Sequence, residues 1–127
     1  MITVEDILTT GGRHEQRLRW VSPAVRDNAT DLATKVSELE ARYGKPLKIR
    51  SGFRDIDSNW TVGGAPRSRH MTGQAVDLVD EDRKLVKFVT EDLLKELGLW
   101  AEAPVNTPTW FHVQTVPPMS GRRFFQP

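Results

Sequence analysis

The sequence predicts a single α+β domain that covers residues 1–127, with a small, mostly antiparallel central sheet and helices packed on one face of it. Two observations predict this fold class. Apolar residues recur every three or four positions through residues 23–43 and again through residues 82–97, which is typical of amphipathic helices. Short segments at residues 47–51, 75–79 and 110–115 have strand character, and apolar side chains alternate in the last two.

Composition excludes several classes of function. The 18 basic and 17 acidic residues give a net charge of +1, so bulk charge predicts no nucleic-acid partner. There is no cysteine, which excludes disulfide bonds and thiolate metal sites. No apolar run has the length of a membrane span, and the first eight residues lack the layout of a signal peptide. We therefore expect a monomer that is made in the cytoplasm and does not insert into membranes.

Two helices are predicted before the first strand, each with capping residues at its start and glycine at its end. The second begins with serine and proline, which favour the first turn of a helix. His14 lies among charged residues, and we interpret it as a solvated or structural residue. The residues that predict the start and the end of the first helix are Thr3, Asp6 and Gly11-Gly12, and those for the second are Ser22, Pro23 and Gly44.

A loop of about eighteen residues follows the strand at 47–51, and loops of this length in a compact domain are usually functional. It contains Trp60, which we expect either to line a substrate groove or to cap the core. Acidic residues 80–82 then favour the start of the helix at 82–97 through its dipole, and Gly98 ends it.

The chain is organised around residues 68–77, where His70 and Asp77 lie seven positions apart. In one extended strand they would be roughly 23 Å apart and unable to share an ion. Gly73 provides a bend between them, after which alternation places Asp77 on one face of a strand. His112, on a neighbouring strand, would then face the same pocket.

Two imidazoles and one carboxylate suit a Zn²⁺ ion that keeps its fourth position open for water. The alternative is that His70 and His112 are ordinary surface or core residues. Asp77 would still need a cation or hydrogen bonds, because burying an unpaired carboxylate is costly.

The arrangement Ser68-x-His70-x-x-Gly73-x-Ala75-x-Asp77 resembles the signature of the zinc D-Ala-D-Ala carboxypeptidases and L-alanyl-D-glutamate endopeptidases, which cut peptidoglycan peptides and share their fold with the hedgehog signalling domain. The similarity includes residues 51–54 and 110–114 and covers roughly residues 45 to 115. Residues 1–8 and 117–123 resemble small bacteriophage members in particular.

The resemblance implies a hydrolase with one Zn²⁺ ion bound by His70, Asp77 and His112, which acts on peptidoglycan stem peptides as a phage lysis enzyme. Such an enzyme would reach the periplasmic cell wall after release from the cell or as part of a virion. The alternative is an inactive module of the same fold that contains metal and binds cell wall or belongs to a virion. Both carboxypeptidase and endopeptidase types are compatible with the sequence.

Residues around the ligands are predicted to bind substrate. Arg54 matches an arginine of the family and suits a substrate carboxylate or an oxyanion, although it could instead pair with Asp55 or Asp57. Ser68 is expected to contact substrate or to orient its own loop. The predicted substrate site is completed by Trp60 and Gln114.

The catalytic base is where this sequence departs from the family. Relatives have an acidic residue three positions before the last histidine, whereas this chain has Thr109, which cannot accept a proton at neutral pH. Glu102 is our candidate, because it precedes the strand of His112 and lies among apolar residues that would raise its proton affinity. Asp80 is a poorer candidate, because alternation places it on the opposite face from Asp77.

Overall fold

The computed structural model describes residues 1–10 and 21–127. The predicted helix end at Gly11-Gly12 and the interpretation of His14 lie outside these residues, as does the side chain of Asp57. Two short 3₁₀ turns, Arg69–Thr72 and Pro104–Asn106, lie between the regular elements. In chain order those elements are α1 (Val4–Thr9), α2 (Pro23–Tyr43), β1 (Ile49–Ser51), α3 (Ile56–Thr61), β2 (Ala75–Val79), α4 (Lys84–Phe88), α5 (Glu91–Leu97), β3 (Trp100–Glu102), β4 (Trp110–Gln114) and β5 (Phe124–Phe125).

The strands form one five-stranded sheet in the order β1-β2-β4-β3-β5. Neighbours are antiparallel except for β3 and β5, which run parallel. The predicted α+β class with a mostly antiparallel sheet is therefore confirmed. The sequence analysis missed β3 and β5, because segments of two or three residues are too short to show a periodicity.

One face of the sheet forms the hydrophobic core, together with the helices. Val76 and Leu78 of β2 and Phe111 and Val113 of β4 are fully buried there, as the alternation predicts. They belong to a single cluster with the apolar residues of α1, α2, α4 and α5. The alternate residues of these strands therefore face the other side of the sheet, where the polar residues of interest lie.

The two N-terminal helices begin as predicted. The side chain of Thr3 accepts a hydrogen bond from the amide of Asp6 (3.1 Å), and the Asp6 carboxylate accepts one from the amide of Thr3 (2.9 Å). Ser22 caps α2 by accepting from the amide of Val25. Gly44 ends α2 in the left-handed conformation (φ 78°), which glycine adopts without steric cost.

Two parts of the predicted helix pattern are wrong. Residues 82–97 form two helices instead of one, because the Thr90 side chain accepts a hydrogen bond from the amide of Leu93 and starts α5. The predicted long loop contains helix α3, which begins where the side chain of Asp55 accepts from the amide of Ser58 (2.7 Å). In both places a single capping residue changed the local structure.

Within residues 1–10 and 21–127, no helix is both long and apolar enough to cross a membrane.

Candidate metal centre and substrate pocket

Adjacent antiparallel strands and one turn bring His70, Asp77 and His112 together. Asp77 on β2 and His112 on β4 are direct partners in the sheet register, and both face away from the core. His70 lies in the 3₁₀ turn Arg69–Thr72, which Gly73 ends with φ 73°. A Cβ atom at Gly73 would lie 2.7 Å from the carbonyl oxygen of Val25, so this bend requires glycine. The predicted bend is confirmed.

The three side chains have the geometry of a metal site. One oxygen of Asp77, Oδ1, lies 3.3 Å from His70 Nε2 and 2.9 Å from His112 Nδ1. The ligand-capable atoms of all three residues lie within 4.8 Å of one another. Two imidazole nitrogens and a carboxylate oxygen at this spacing are compatible with one divalent transition-metal ion with an open coordination position.

Hydrogen bonds of its ring and of its backbone hold His70 in place. Its ring is buried, with 2% of the residue exposed, and Nδ1–H donates to the carbonyl oxygen of Gly52 (2.8 Å). Its backbone amide donates to the hydroxyl of Ser68 (3.2 Å), and its carbonyl oxygen accepts from the amide of Arg54 (3.1 Å). Ser68 therefore caps the turn, the second of the two roles predicted for it.

His112 is held by Gln114 on the side opposite Asp77. His112 Nε2 lies 2.9 Å from Gln114 Oε1, and Gln114 Nε2 donates to the carbonyl oxygen of Val116 (2.8 Å). The ring of Phe125, on β5, stands edge-on to the imidazole at 6.1 Å between centroids. Gln114, which we predicted to bind substrate, thus has both ends of its amide engaged within the protein.

The charges in this group stabilise each other. Burial alone would raise the pKa of Asp77, but hydrogen bonds from His112 and His70 bring that pKa well below its usual range. Burial would lower the pKa of His112, but its hydrogen bond to Asp77 raises that pKa above the ordinary value. Asp77 is therefore ionised at neutral pH, as a metal ligand must be.

The three residues line one wall of a pocket that also contains a cation and a second carboxylate, Arg54 and Glu102. Both are on the predicted list of functional residues, as are Ser68 and Gln114, which also line the pocket. The pocket further includes residues that the sequence analysis did not select, because neither periodicity nor ligand spacing marks them. Those residues are Gly63, Gly64, Ala65, Arg67, Arg69, Trp110, Phe125 and Pro127.

Arg54 is half-buried, and no group in the described part of the chain makes a hydrogen bond to its buried Nε atom. Burial lowers the pKa of the guanidinium, while the negative charge of Asp77 opposes that shift. A buried guanidinium nitrogen without a partner is costly unless another group satisfies it. A carboxylate or an oxyanion in the pocket would satisfy it, because a guanidinium binds such groups through two parallel hydrogen bonds.

Glu102 is the last residue of β3 and lines the pocket. Burial raises the pKa of its carboxyl, the negative charge of Asp77 adds to that shift, and His112 opposes it. A carboxylate with raised proton affinity beside the ligand group is suited to general-base chemistry.

The two alternative positions for a base are occupied by structural interactions. Asp80 is 3% exposed, and its two carboxylate oxygens accept hydrogen bonds from the amides of Leu85 and Val86. The hydroxyl of Thr109 accepts from the guanidinium of Arg50 (3.0 Å). Neither Asp80 nor Thr109 is among the residues that line the pocket.

Trp60 lies outside the core. The residue is 87% exposed, so the interpretation that it caps the core is wrong. It lies on α3, a helix of six residues whose Ile56 is also exposed. Trp60 is not among the pocket-lining residues, and its predicted contact with substrate stays a prediction.

Comparisons with known proteins agree with this arrangement. The family model described as Peptidase M15 matches residues 3–109. A zinc D-Ala-D-Ala carboxypeptidase of Streptomyces albus G is 43% identical over 54 residues, which are 42% of this chain and 21% of that protein. The chain thus matches about a fifth of the length of that relative.

Proposed function

This chain belongs to the Peptidase M15 family, and from that membership we propose that it is a zinc-dependent peptidase that hydrolyses a peptide bond in peptidoglycan stem peptides. The observation that carries the proposal is the His70–Asp77–His112 group on the wall of a pocket that also holds Arg54 and Glu102. The similarity to a zinc D-Ala-D-Ala carboxypeptidase supports both the metal and the class of substrate.

The residues of the pocket have complementary roles in this proposal. His70, Asp77 and His112 hold one zinc ion, which supplies Lewis-acid activation of water and of the scissile carbonyl. Glu102 accepts the proton of the attacking water, for which its raised pKa is suited. Arg54 binds a carboxylate of the peptide or stabilises the negative charge that develops on the carbonyl oxygen.

We extend the proposal to bacteriophage lysis, with the cell wall as the place of action. Support comes from residues 1–8 and 117–123, which resemble the small phage members of this family. The substrate bond is either D-Ala-D-Ala or L-Ala-D-Glu, and Arg54 suits a carboxylate of the peptide in either case.

A specific observation favours a second candidate function. The position at which relatives have their acidic residue is Thr109, whose hydroxyl binds Arg50. If no carboxylate of this chain replaces that acid, the domain is a non-catalytic module that contains metal and binds wall peptide or forms part of a virion.

The test uses purified protein and permeabilised Gram-negative cells in a turbidity assay, with and without a chelator. We expect loss of turbidity that the chelator abolishes and added zinc restores. Defined stem peptides, analysed by mass spectrometry, identify the bond that is cut. His112→Ala is the matched inactive control. Zinc-loaded wild-type protein that cuts neither peptide would favour the non-catalytic module.

Elemental analysis tests the metal separately from activity. We expect one zinc ion per chain, and loss of most of it when His70, Asp77 or His112 is replaced by alanine, because each removes one of three protein ligands. A variant that keeps a full equivalent of zinc would exclude the replaced residue as a ligand.

A further inference from the structure

Gln114 is the next residue after His112 on the same face of β4. It is 7% exposed, and its side-chain amide makes one hydrogen bond at each end. Oε1 lies 2.9 Å from His112 Nε2, and Nε2 lies 2.8 Å from the carbonyl oxygen of Val116. A buried polar side chain with both ends satisfied has a defined orientation.

The carbonyl of Val116 determines which way the amide of Gln114 points. A carbonyl oxygen can only accept a hydrogen bond, so the amide nitrogen of Gln114 must face Val116 and its oxygen must face His112. That amide oxygen is also only an acceptor. The Nε2 atom of His112 must therefore carry a hydrogen.

This hydrogen leaves Nδ1 as the nitrogen of His112 that can offer a lone pair to a metal, once it releases the hydrogen that it donates to Asp77 in the metal-free protein. Nδ1 is the atom that lies 2.9 Å from Asp77 Oδ1. His70 has the opposite arrangement, because its Nδ1–H donates to Gly52 and its Nε2 faces Asp77 at 3.3 Å. The two histidines thus present different ring nitrogens to the same point.

We propose that Gln114 is a positioning residue of the metal centre, which holds the ring of His112 so that Nδ1 is its metal-binding atom. This inference rests on the zinc site of the proposed function and not on the peptidase activity. Gln114 also lines the pocket, and its predicted contact with substrate stays a prediction. Groups that hydrogen-bond the second nitrogen of a metal-binding histidine commonly change metal affinity by about 10–100-fold when they are removed.

The first test measures zinc affinity by competition with a chromophoric chelator. Gln114→Met keeps the length of the side chain but removes the acceptor, and we expect a loss of affinity of about 10–100-fold. Gln114→Glu keeps the acceptor towards His112 but loses the donor to Val116, and we expect it to bind zinc more tightly than Gln114→Met.

Gln74→Met is the matched control. The Gln74 side chain accepts a hydrogen bond from the hydroxyl of Thr72 (2.6 Å) and is not among the pocket-lining residues. The same chemical change there removes a hydrogen bond without touching His112. Zinc affinity should equal that of the wild type, and thermal unfolding of all the variants reports whether each is folded.

The second test uses NMR of zinc-loaded wild-type protein with ¹⁵N-labelled histidine. We expect zinc on Nδ1 and hydrogen on Nε2 for His112, and the reverse for His70. This readout needs no variant, so it can overturn the inference even if Gln114→Met does not fold.

Two results would overturn the inference: zinc bound to Nε2 of His112, or wild-type zinc affinity in folded Gln114→Met. Neither result concerns catalysis. If zinc binds as expected but no wall peptide is cleaved, the proposed activity fails and the role of Gln114 stands. Absence of zinc binding by the wild type would overturn both.

Discussion

The carbonyl oxygen of Gly52 and Nδ1 of His70 are 2.8 Å apart, and this hydrogen bond ties the end of β1 to the turn that carries a metal ligand. Gly52 is itself packed against α1. Its amide donates to the carbonyl oxygen of Thr10, and a Cβ atom on it would overlap the carbonyl oxygen of Ile7. The first helix therefore supports the position of His70 through Gly52, although it contributes no residue to the pocket.

We predict that Gly52→Ala weakens zinc binding by about 10-fold or more, the scale of losing a group that orients a metal-binding histidine. The added methyl group forces the backbone of Gly52 away from α1 and moves the carbonyl that His70 requires. Chelator competition measures the effect.

Gly121→Ala is the control for the change of residue type, because a Cβ at Gly121 meets no atom within 4 Å. The positive φ of 70° makes this substitution cost stability, roughly 1 kcal/mol, without an effect on zinc. Equal zinc affinities in the two variants would contradict the role of Gly52.

Glu102→Gln should leave zinc content and thermal stability nearly unchanged and lower turnover by about 100-fold or more, the scale of losing acid–base catalysis. The amide keeps the size of the side chain but cannot accept the proton. Since burial raises the pKa of Glu102, wild-type activity should fall with decreasing pH from above the ordinary glutamate value of 4.5.

Thr109→Glu in the Glu102→Gln background returns an acidic residue to the position used by relatives, and partial recovery of turnover is expected. Wild-type turnover in Glu102→Gln would exclude Glu102 as the base, and the other carboxylates outside the ligand group would then be tested.

Arg54 should discriminate between substrates with and without a carboxylate. We predict that Arg54→Lys raises the KM of a peptide with a free C-terminal carboxylate by about 10-fold, because an ammonium lacks the bidentate fork. A C-terminally amidated peptide provides the internal control. If Arg54 binds that carboxylate, the amidated peptide loses little between wild type and variant, whereas equal losses for both peptides would argue for a role at the oxyanion.

The stability of metal-free protein should peak in weakly acidic solution. Burial would raise the pKa of Asp77 on folding, but hydrogen bonds from His112 and His70 lower it. The contribution of Asp77 to the free energy of unfolding is therefore present above the unfolded pKa of 3.8 and is lost as the pH falls below that value. Burial lowers the pKa of His112, but the hydrogen bond and negative charge of Asp77, with smaller effects of Gln114 and Glu102, together raise it. The contribution of His112 to the free energy of unfolding is therefore present below its unfolded pKa of 6.5 and is lost as the pH rises through its folded pKa.

Urea denaturation of chelator-treated protein across a pH series measures this profile. The free energy of unfolding should be highest between about pH 4 and 6.5. Asp77→Asn should flatten the profile on both sides, because it removes the partner of both histidines. An unchanged profile in Asp77→Asn would show that the pH dependence arises elsewhere.

Sequence patterns alone were enough to predict the α+β class, the core-facing residues of β2 and β4, the bend at Gly73 and the ligand candidates His70, Asp77 and His112. These features depend on local periodicity, on backbone preferences of single residues, on a motif of ten positions and on the separate block at 110–114, all of which are visible in the chain. Capping residues likewise predicted the starts of α1 and α2. The division of residues 82–97 at Thr90 was missed, because an apolar stripe continues through a break of two residues.

The groups that surround the three ligand candidates could not be predicted in this way, because they depend on the tertiary structure. The carbonyl of Gly52 reaches His70 across eighteen positions of sequence, and the ring of Phe125 meets His112 through β5, a strand of two residues. No sequence pattern marks a backbone carbonyl as an acceptor or places an edge strand. The exposure of Trp60 and the commitment of Gln114 to Val116 follow from the same cause: a side chain's neighbours come from distant segments, and their positions are determined by the packing of the whole fold.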